Sequence, residues 1–282
     1  MSVHALRRIE SHFRAADGLR LFRRAWLPGR PTRVLGLVHG YAEHSGRYDT
    51  LAAWFAGRGA AVHAYDHRGH GRSEGVRCHV RRFDEFLDDL GVFLDAVRAE
   101  HPELPVTLVG HSMGGLVTAS FLAERGPILA SAVLSGPVLA LGEGVSRVRV
   151  GLARLLRGVA PRLALGSGLD LEGLSRDPDV VRAYLEDPFV YRTMTTSLAA
   201  ELLGAVSRTA ARADRVGIPL LVLHGEEDPL CPVQGSREFA ARVQSAGSAL
   251  RTYPGLRHEI FNEPEREKVY EDVWTWLEGL AP

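Results

Sequence analysis

Between Arg33 and Leu134 the chain alternates between two hydrophobic rhythms. Short apolar runs (Arg33–His39, Ala60–Asp66, Val106–Gly110, whose Val106–Val109 is rich in β-branched residues, and Leu129–Leu134) read as buried strands. Between them, Tyr48–Arg58, Phe83–Glu100 and Met113–Arg125 carry apolar residues at helical spacing. The rhythm returns near the end: Pro219–His224 as strand, Ser236–Ala246 as helix, Ala249–Tyr253 as strand and Glu265–Leu280 as helix. At the start, Ser11–Asp17 and Leu19–Leu27 read as two strands joined at Asp17-Gly18, a hairpin turn signal. Strands alternating with helices imply βαβ units, a mostly parallel central sheet flanked by helices, and ligands at the carboxyl ends of the strands.

The rhythm breaks from 138 to 214. This stretch holds no convincing buried strand, while Val145–Val159, Asp179–Leu185 and Thr196–Arg212 read as helices punctuated by proline and glycine. Inserted after the sixth strand, it forms a helical cap over the strand ends. The expected division is therefore core over 1–137, cap or lid over 138–214, and core again over 215–282. In the Val145 helix, Val145, Val148, Leu152, Leu155, Leu156 and Val159 share a stripe, with arginines largely elsewhere. The stripe either packs onto the sheet domain or serves as a lid face that meets acyl chains or a membrane surface.

Composition narrows the function classes. The 282 residues hold 34 basic and 34 acidic side chains, so no global field draws nucleic acid or an anionic surface. Lys268 is the single lysine. Cys78 and Cys231 are too few for a disulfide framework and have no metal-ligand spacing. No run approaches the length of a membrane span, and the N-terminus lacks an apolar signal region, so a soluble, cytoplasmic protein is expected.

Residues 105–124, PVTLVGHSMGGLVTASFLAE, carry the chemistry. A strand that becomes a helix within about one residue strains the turning residue and pushes its side chain outward. Gly110 and Gly114 lack the Cβ atoms that would clash across such a bend, leaving Ser112 at the apex as a nucleophile. A second Gly-x-Ser-x-Gly, Gly71–Gly75, opens no helix and reads as an ordinary turn.

A serine hydroxyl needs a base within reach, and the base an orienting acid. On an open α/β sheet the order Ser, acid, His is expected. His258 follows the last strand and is the only histidine after 224. Asp228 lies four residues past a strand end, with Glu226 and Glu227 as rivals on spacing alone. Met113 N–H, at a helix start, and Tyr41 N–H, after Gly40, are candidate oxyanion donors.

The chain resembles the monoacylglycerol lipase group of the α/β-hydrolases, also grouped with serine aminopeptidase-like and lysophospholipase-like hydrolases. The matching stretches are HGYAEHSGRY (39–48), YDHRGHGRSEG (65–75), GHSMGG (110–115), LSRDPDVVRAYLEDPFVY (174–191), LLGAVSR (202–208), HGEEDPLCP (224–232) and the His258 loop. The resemblance implies an α/β-hydrolase fold and hydrolysis of medium- or long-chain fatty acyl glycerol esters through an acyl-Ser112 intermediate. It implies a small lipid ester as substrate, no metal or organic cofactor, no nucleic acid, and peripheral contact with membrane as an open possibility. It assigns Tyr41 and Met113 to the oxyanion hole and places Glu43, Arg47, His111 and Tyr184 near the end that receives glycerol, with Cys231 close by. An ion pair holding the 43–47 loop and a merely space-filling Cys231 are open alternatives. Phe261 stands where mammalian members have a second histidine, and Tyr41 where they have alanine, so glycerol-side bonding is expected to differ. Lysophospholipase, general carboxylesterase, proline-iminopeptidase-type peptidase and non-catalytic binding protein are the rival functions. The arginine-rich cap disfavours the peptidase, which needs acidic groups for a substrate amine.

Overall fold

The computed structural model describes residues 6–142, 151 and 155–280. Eight strands form one sheet in the order β1-β2-β4-β3-β5-β6-β9-β10. The strands β3 (Arg33–Val38), β4 (Ala60–Tyr65), β5 (Val106–His111), β6 (Ser131–Ser135), β9 (Leu220–Gly225) and β10 (Ala249–Tyr253) pair in parallel. Strands β1 (Arg7–Arg14) and β2 (Arg20–Leu27) form an antiparallel hairpin at one edge, and β2 is antiparallel to β4. Gly18 turns the hairpin at φ 90°, where a side chain would be strained. β1 starts at Arg7, four residues before the expected Ser11. Its Arg-Arg-Ile-Glu start is an edge strand whose charges face water, so no apolar alternation marks it.

Side chains alternate across the buried strands and build two cores. Val34 and Val38, Leu108, Leu134 and Val222 point to one face, packed by α2 (Asp84–Glu100) and α3 (Met113–Arg125). Leu35 and Leu37, Val109, Val133, Leu221 and Leu223 point to the other, packed by α1 (Asp49–Gly57) and the last helix, Arg266–Gly279. Each such fully buried aliphatic side chain contributes about 1.5–3 kcal/mol. These layers hold β5 in the middle of the sheet and present its carboxyl end at one rim.

Between β6 and β9 lie two three-residue strands, β7 (Ala164–Gly166) and β8 (Thr193–Thr195), and helices α4 (Pro178–Glu186) and α5 (Thr196–Ala211). The β7–β8 pair is absent from the sequence reading because strands of three residues, those of β7 all exposed, leave no hydrophobic pattern. Within the stripe, Val145, Val148 and Leu152 lie outside the described residues. Leu155 and Val159 are 65% and 80% exposed, so these two do not pack onto the sheet. Helix α6 runs Val233–Arg242 rather than Ser236–Ala246. Pro232 lies at its start, and Val243 leaves helical angles at ψ 118°. The last helix is α7 (Arg266–Gly279). No described helix is long and apolar enough to cross a membrane.

Candidate active site

At the carboxyl end of β5 the chain enters α3 through Ser112, whose φ is 53° and ψ −118°. A non-glycine residue there is strained, and the surrounding contacts show what holds it. A Cβ on Gly114 would collide with the carbonyl oxygens of Val38 and His39, and one on Gly110 would sit 2.5 Å from Gly114 O. Ser112 N–H donates to Ser135 O at 3.0 Å, and Leu116 N–H to Ser112 O at 3.1 Å.

Asp228 is in the turn after β9, and both its oxygens have hydrogen-bond partners. Its Oδ1 accepts Leu230 N–H at 2.8 Å and Cys231 N–H at 2.9 Å. Its Oδ2 lies 2.7 Å from His258 Nδ1 and 3.0 Å from His224 Nε2. Burial works against this carboxylate, but the two imidazoles outweigh it and hold its pKa well below the usual range. Of the rivals, Glu226 accepts from the Thr252 hydroxyl at 2.6 Å and is ion-paired with Arg237, and Glu227 is exposed. His258 is buried. Burial opposes its imidazolium, yet the Asp228 carboxylate prevails and raises its pKa well above the ordinary value. Donation from Nδ1 to Asp228 leaves Nε2 as the free nitrogen. Among the described hydrogen bonds none joins Ser112 Oγ to His258, but both line one cavity of about 300 Å³. Cys231 lies against both, and burial pushes its thiol pKa up.

Tyr41 and Met113 line the same cavity, and among the described hydrogen bonds neither N–H has a protein acceptor. The residue after Tyr41, Ala42, has φ 62°, a strained position in this loop as Ser112 is in its own turn. Most of the cavity wall is apolar, including Leu174, Met194, Leu202, Val206 and Leu230. Its polar part is Glu43, His111, Tyr184 and Glu259. His111 packs its ring 4.8 Å from that of His258, and its pKa is lowered to about 4, by burial and then by His258. Arg47 lies behind this wall, bonded to Glu43 and Glu259. Phe261 is buried in the second core.

Glu259 is the site residue that sequence reasoning missed. Its signal was adjacency to His258, but a carboxylate beside a surface-loop histidine carries no meaning until its partner is known. Two donor groups among the described residues have metal-ligand spacing, Asp228–Cys231–His258 and His63–Glu100–His101. In the first, every carboxylate oxygen already accepts protein donors and the thiol holds its proton. In the second, the two Nε2 atoms are 3.0 Å apart, the distance of one imidazole-to-imidazole hydrogen bond.

The chain is similar to known hydrolases along nearly its whole length. A family model described as serine aminopeptidase, S33, matches residues 29–265. The chain is 42% identical to a monoacylglycerol lipase of Mycolicibacterium smegmatis, over 96% of this chain and 97% of that one. It is 37% identical to the monoglyceride lipase of Homo sapiens, over 94% and 89% of the two chains. The crystal structure of Paleococcus ferrophilus monoacylglycerol lipase superposes with a TM-score of 0.84 at 33% identity, covering 93% of this chain and 99% of that one. The mostly parallel sheet with a serine at the β5–α3 turn is thus the α/β-hydrolase fold expected from the sequence.

Proposed function

Since the chain belongs to the serine aminopeptidase S33 family of α/β-hydrolases, we propose that it hydrolyses monoacylglycerols through an acyl-Ser112 intermediate. One observation carries this: Ser112 and the Asp228-anchored His258 face one mostly apolar cavity whose polar end is small.

In this reading His258 Nε2 takes the Ser112 proton as Oγ attacks the ester carbonyl. The oxyanion receives the N–H groups of Tyr41 and Met113, which stand ready without reorganisation. The acyl chain lies along Leu174, Met194, Leu202 and Val206, and the glycerol faces Glu43, His111 and Tyr184. The imidazolium, held by Asp228, returns its proton to the departing glycerol oxygen. Water, deprotonated by the same imidazole, then releases the fatty acid. The residues between β6 and β9 act as a lid, and exposed Leu155 and Val159 offer it a contact with lipid surfaces.

Ser112→Ala abolishes turnover of 1-lauroylglycerol if this is right, and wild-type activity in that variant ends the proposal. In the wild type, lysophospholipid or Pro-β-naphthylamide cleaved faster than 1-lauroylglycerol would move the substrate class while leaving the nucleophile.

A further inference from the structure

The oxyanion loop and the imidazole loop are far apart in sequence, yet one buried chain of charge joins them. Gly40 N–H, one residue before the candidate donor Tyr41, donates to Glu43 Oε1 at 2.5 Å. The Tyr48 hydroxyl donates to the same oxygen at 2.7 Å. Arg47 Nη1 reaches Glu43 Oε2 at 2.9 Å and Glu259 Oε1 at 2.6 Å, and Nη2 reaches Glu259 Oε2 at 2.9 Å. Asn262 Nδ2 donates to that last oxygen at 2.8 Å. The side chains of Glu43, Arg47 and Glu259 are 4%, 10% and 4% exposed. The ring of Tyr184, from α4, lies 4.7 Å from the guanidinium.

We propose that Glu259 is a positioning residue which, through Arg47 and Glu43, fixes the peptide bearing the oxyanion donor relative to His258. This rests on the hydrolase reading of Ser112 and His258. With Gly40 N–H tied to Glu43, the backbone is oriented so that the next N–H, that of Tyr41, is the one without a protein acceptor. Glu259 directly follows the imidazole, so the same ion pair sets the spacing between base and oxyanion site. Arg47 is spent in this linkage, with both terminal nitrogens on carboxylates and no place on the cavity wall. One guanidinium shared by two buried carboxylates is a bistable arrangement. Remove one anion and Arg47 re-centres on the other, pulling the loop with it.

The test is Glu259→Gln, which keeps shape and removes charge, compared with wild type on a p-nitrophenyl ester and its thiono analogue. A thiono sulfur accepts hydrogen bonds weakly, so its hydrolysis draws little on the oxyanion donors. We expect kcat on the oxygen ester to fall about 10- to 100-fold with KM within about threefold. We also expect the ester-to-thionoester rate ratio to fall at least about fivefold, since the thionoester loses less. Glu259→Asp recovers part of both. Oxygen-ester kcat within about twofold of wild type overturns the proposal, and so does a large loss with the ratio unchanged. Should Glu259→Gln fail to fold, Arg47→Lys keeps the charge but cannot bridge both carboxylates. It carries the same expected losses, and wild-type rates in it are equally fatal. An inactive wild type that no fluorophosphonate labels at Ser112 would instead sink the hydrolase reading itself.

Discussion

Acidification is the perturbation to which this fold is most exposed, because several imidazoles are locked neutral in its interior. Burial lowers the pKa of His63 and His70 to about 3 each, and that of His111 to about 4. In the unfolded chain each titrates near about 6.5. Below that pH the unfolded state takes up protons that the native state refuses, so stability is lost as pH falls. At about pH 5 each group lies roughly 1.5 units below its unfolded pKa, which costs about 2 kcal/mol. Three groups cost about 6 kcal/mol, against a typical domain stability of about 5–15 kcal/mol. His39 and His67, also lowered by burial, act in the same direction.

Glu43, which acts in the same direction, and His258, which acts in the opposite one, are both silent in that window. Burial works against the Glu43 carboxylate, but Arg47 outweighs it and takes the pKa to about 2. The stability this confers is lost only as pH falls below about 4.3. The raised pKa of His258 contributes stability that is complete below about 6.5 and is lost only on the alkaline side. Urea unfolding followed by tryptophan fluorescence, at steps from about pH 7.5 to about pH 5, measures the sum. With m constant, the slope below about pH 6 is about 4 kcal/mol per pH unit, and His70→Gln lowers it by about one proton's worth. A slope under about 1.4 kcal/mol per unit refutes the reasoning, since it means that less than one proton is linked to unfolding.

Three further outcomes follow from the site. In the proposed mechanism only neutral His258 accepts the Ser112 proton, so the acidic limb of kcat/KM is expected above about 6.5, the ordinary histidine value. Asp228→Asn moves the limb down and lowers kcat by about 10⁴; a wild-type limb at or below about 6.5 contradicts the anchored imidazole. Gly114→Ala sets a methyl against the backbone oxygens of Val38 and His39, which cannot yield, and costs about 3 kcal/mol or prevents folding. An unchanged melting temperature would show that the elbow is looser than drawn. Val206→Phe fills the apolar part of the cavity and cuts kcat/KM on a lauroyl ester about tenfold more than on a butyryl ester. Equal losses on the two esters would place the acyl chain elsewhere.

Much of this architecture was readable along the chain because its causes are local. Helices α2, α3 and α7 begin and end within one residue of the limits their periodicity suggests. The Ser112 turn is legible because Gly110 and Gly114 are required by atoms only a few residues away or in the adjoining strand. Other features have no local cause. The charged edge strand β1 and the three-residue strands β7 and β8 are made by pairing, and α6 is set by Pro232 more than by its apolar spacing.

The alternation of strands and helices in the central sheet, the strained serine and the chain order of nucleophile, acid and histidine were therefore determined by the sequence alone, through side-chain period and steric exclusion. Which carboxylate among Glu226, Glu227 and Asp228 meets the imidazole was decided by the turn after β9, which gives Asp228 Oδ1 two backbone N–H donors and sets Oδ2 against His258 Nδ1. That Arg47 belongs to Glu259, 212 positions away, was decided by the sheet, which brings the loops after β3 and β10 to one rim. Spacing along a chain cannot encode such a pairing. A buried charge takes as partner whatever the fold leaves within about 3 Å, and that distance exists only once the strands are in register.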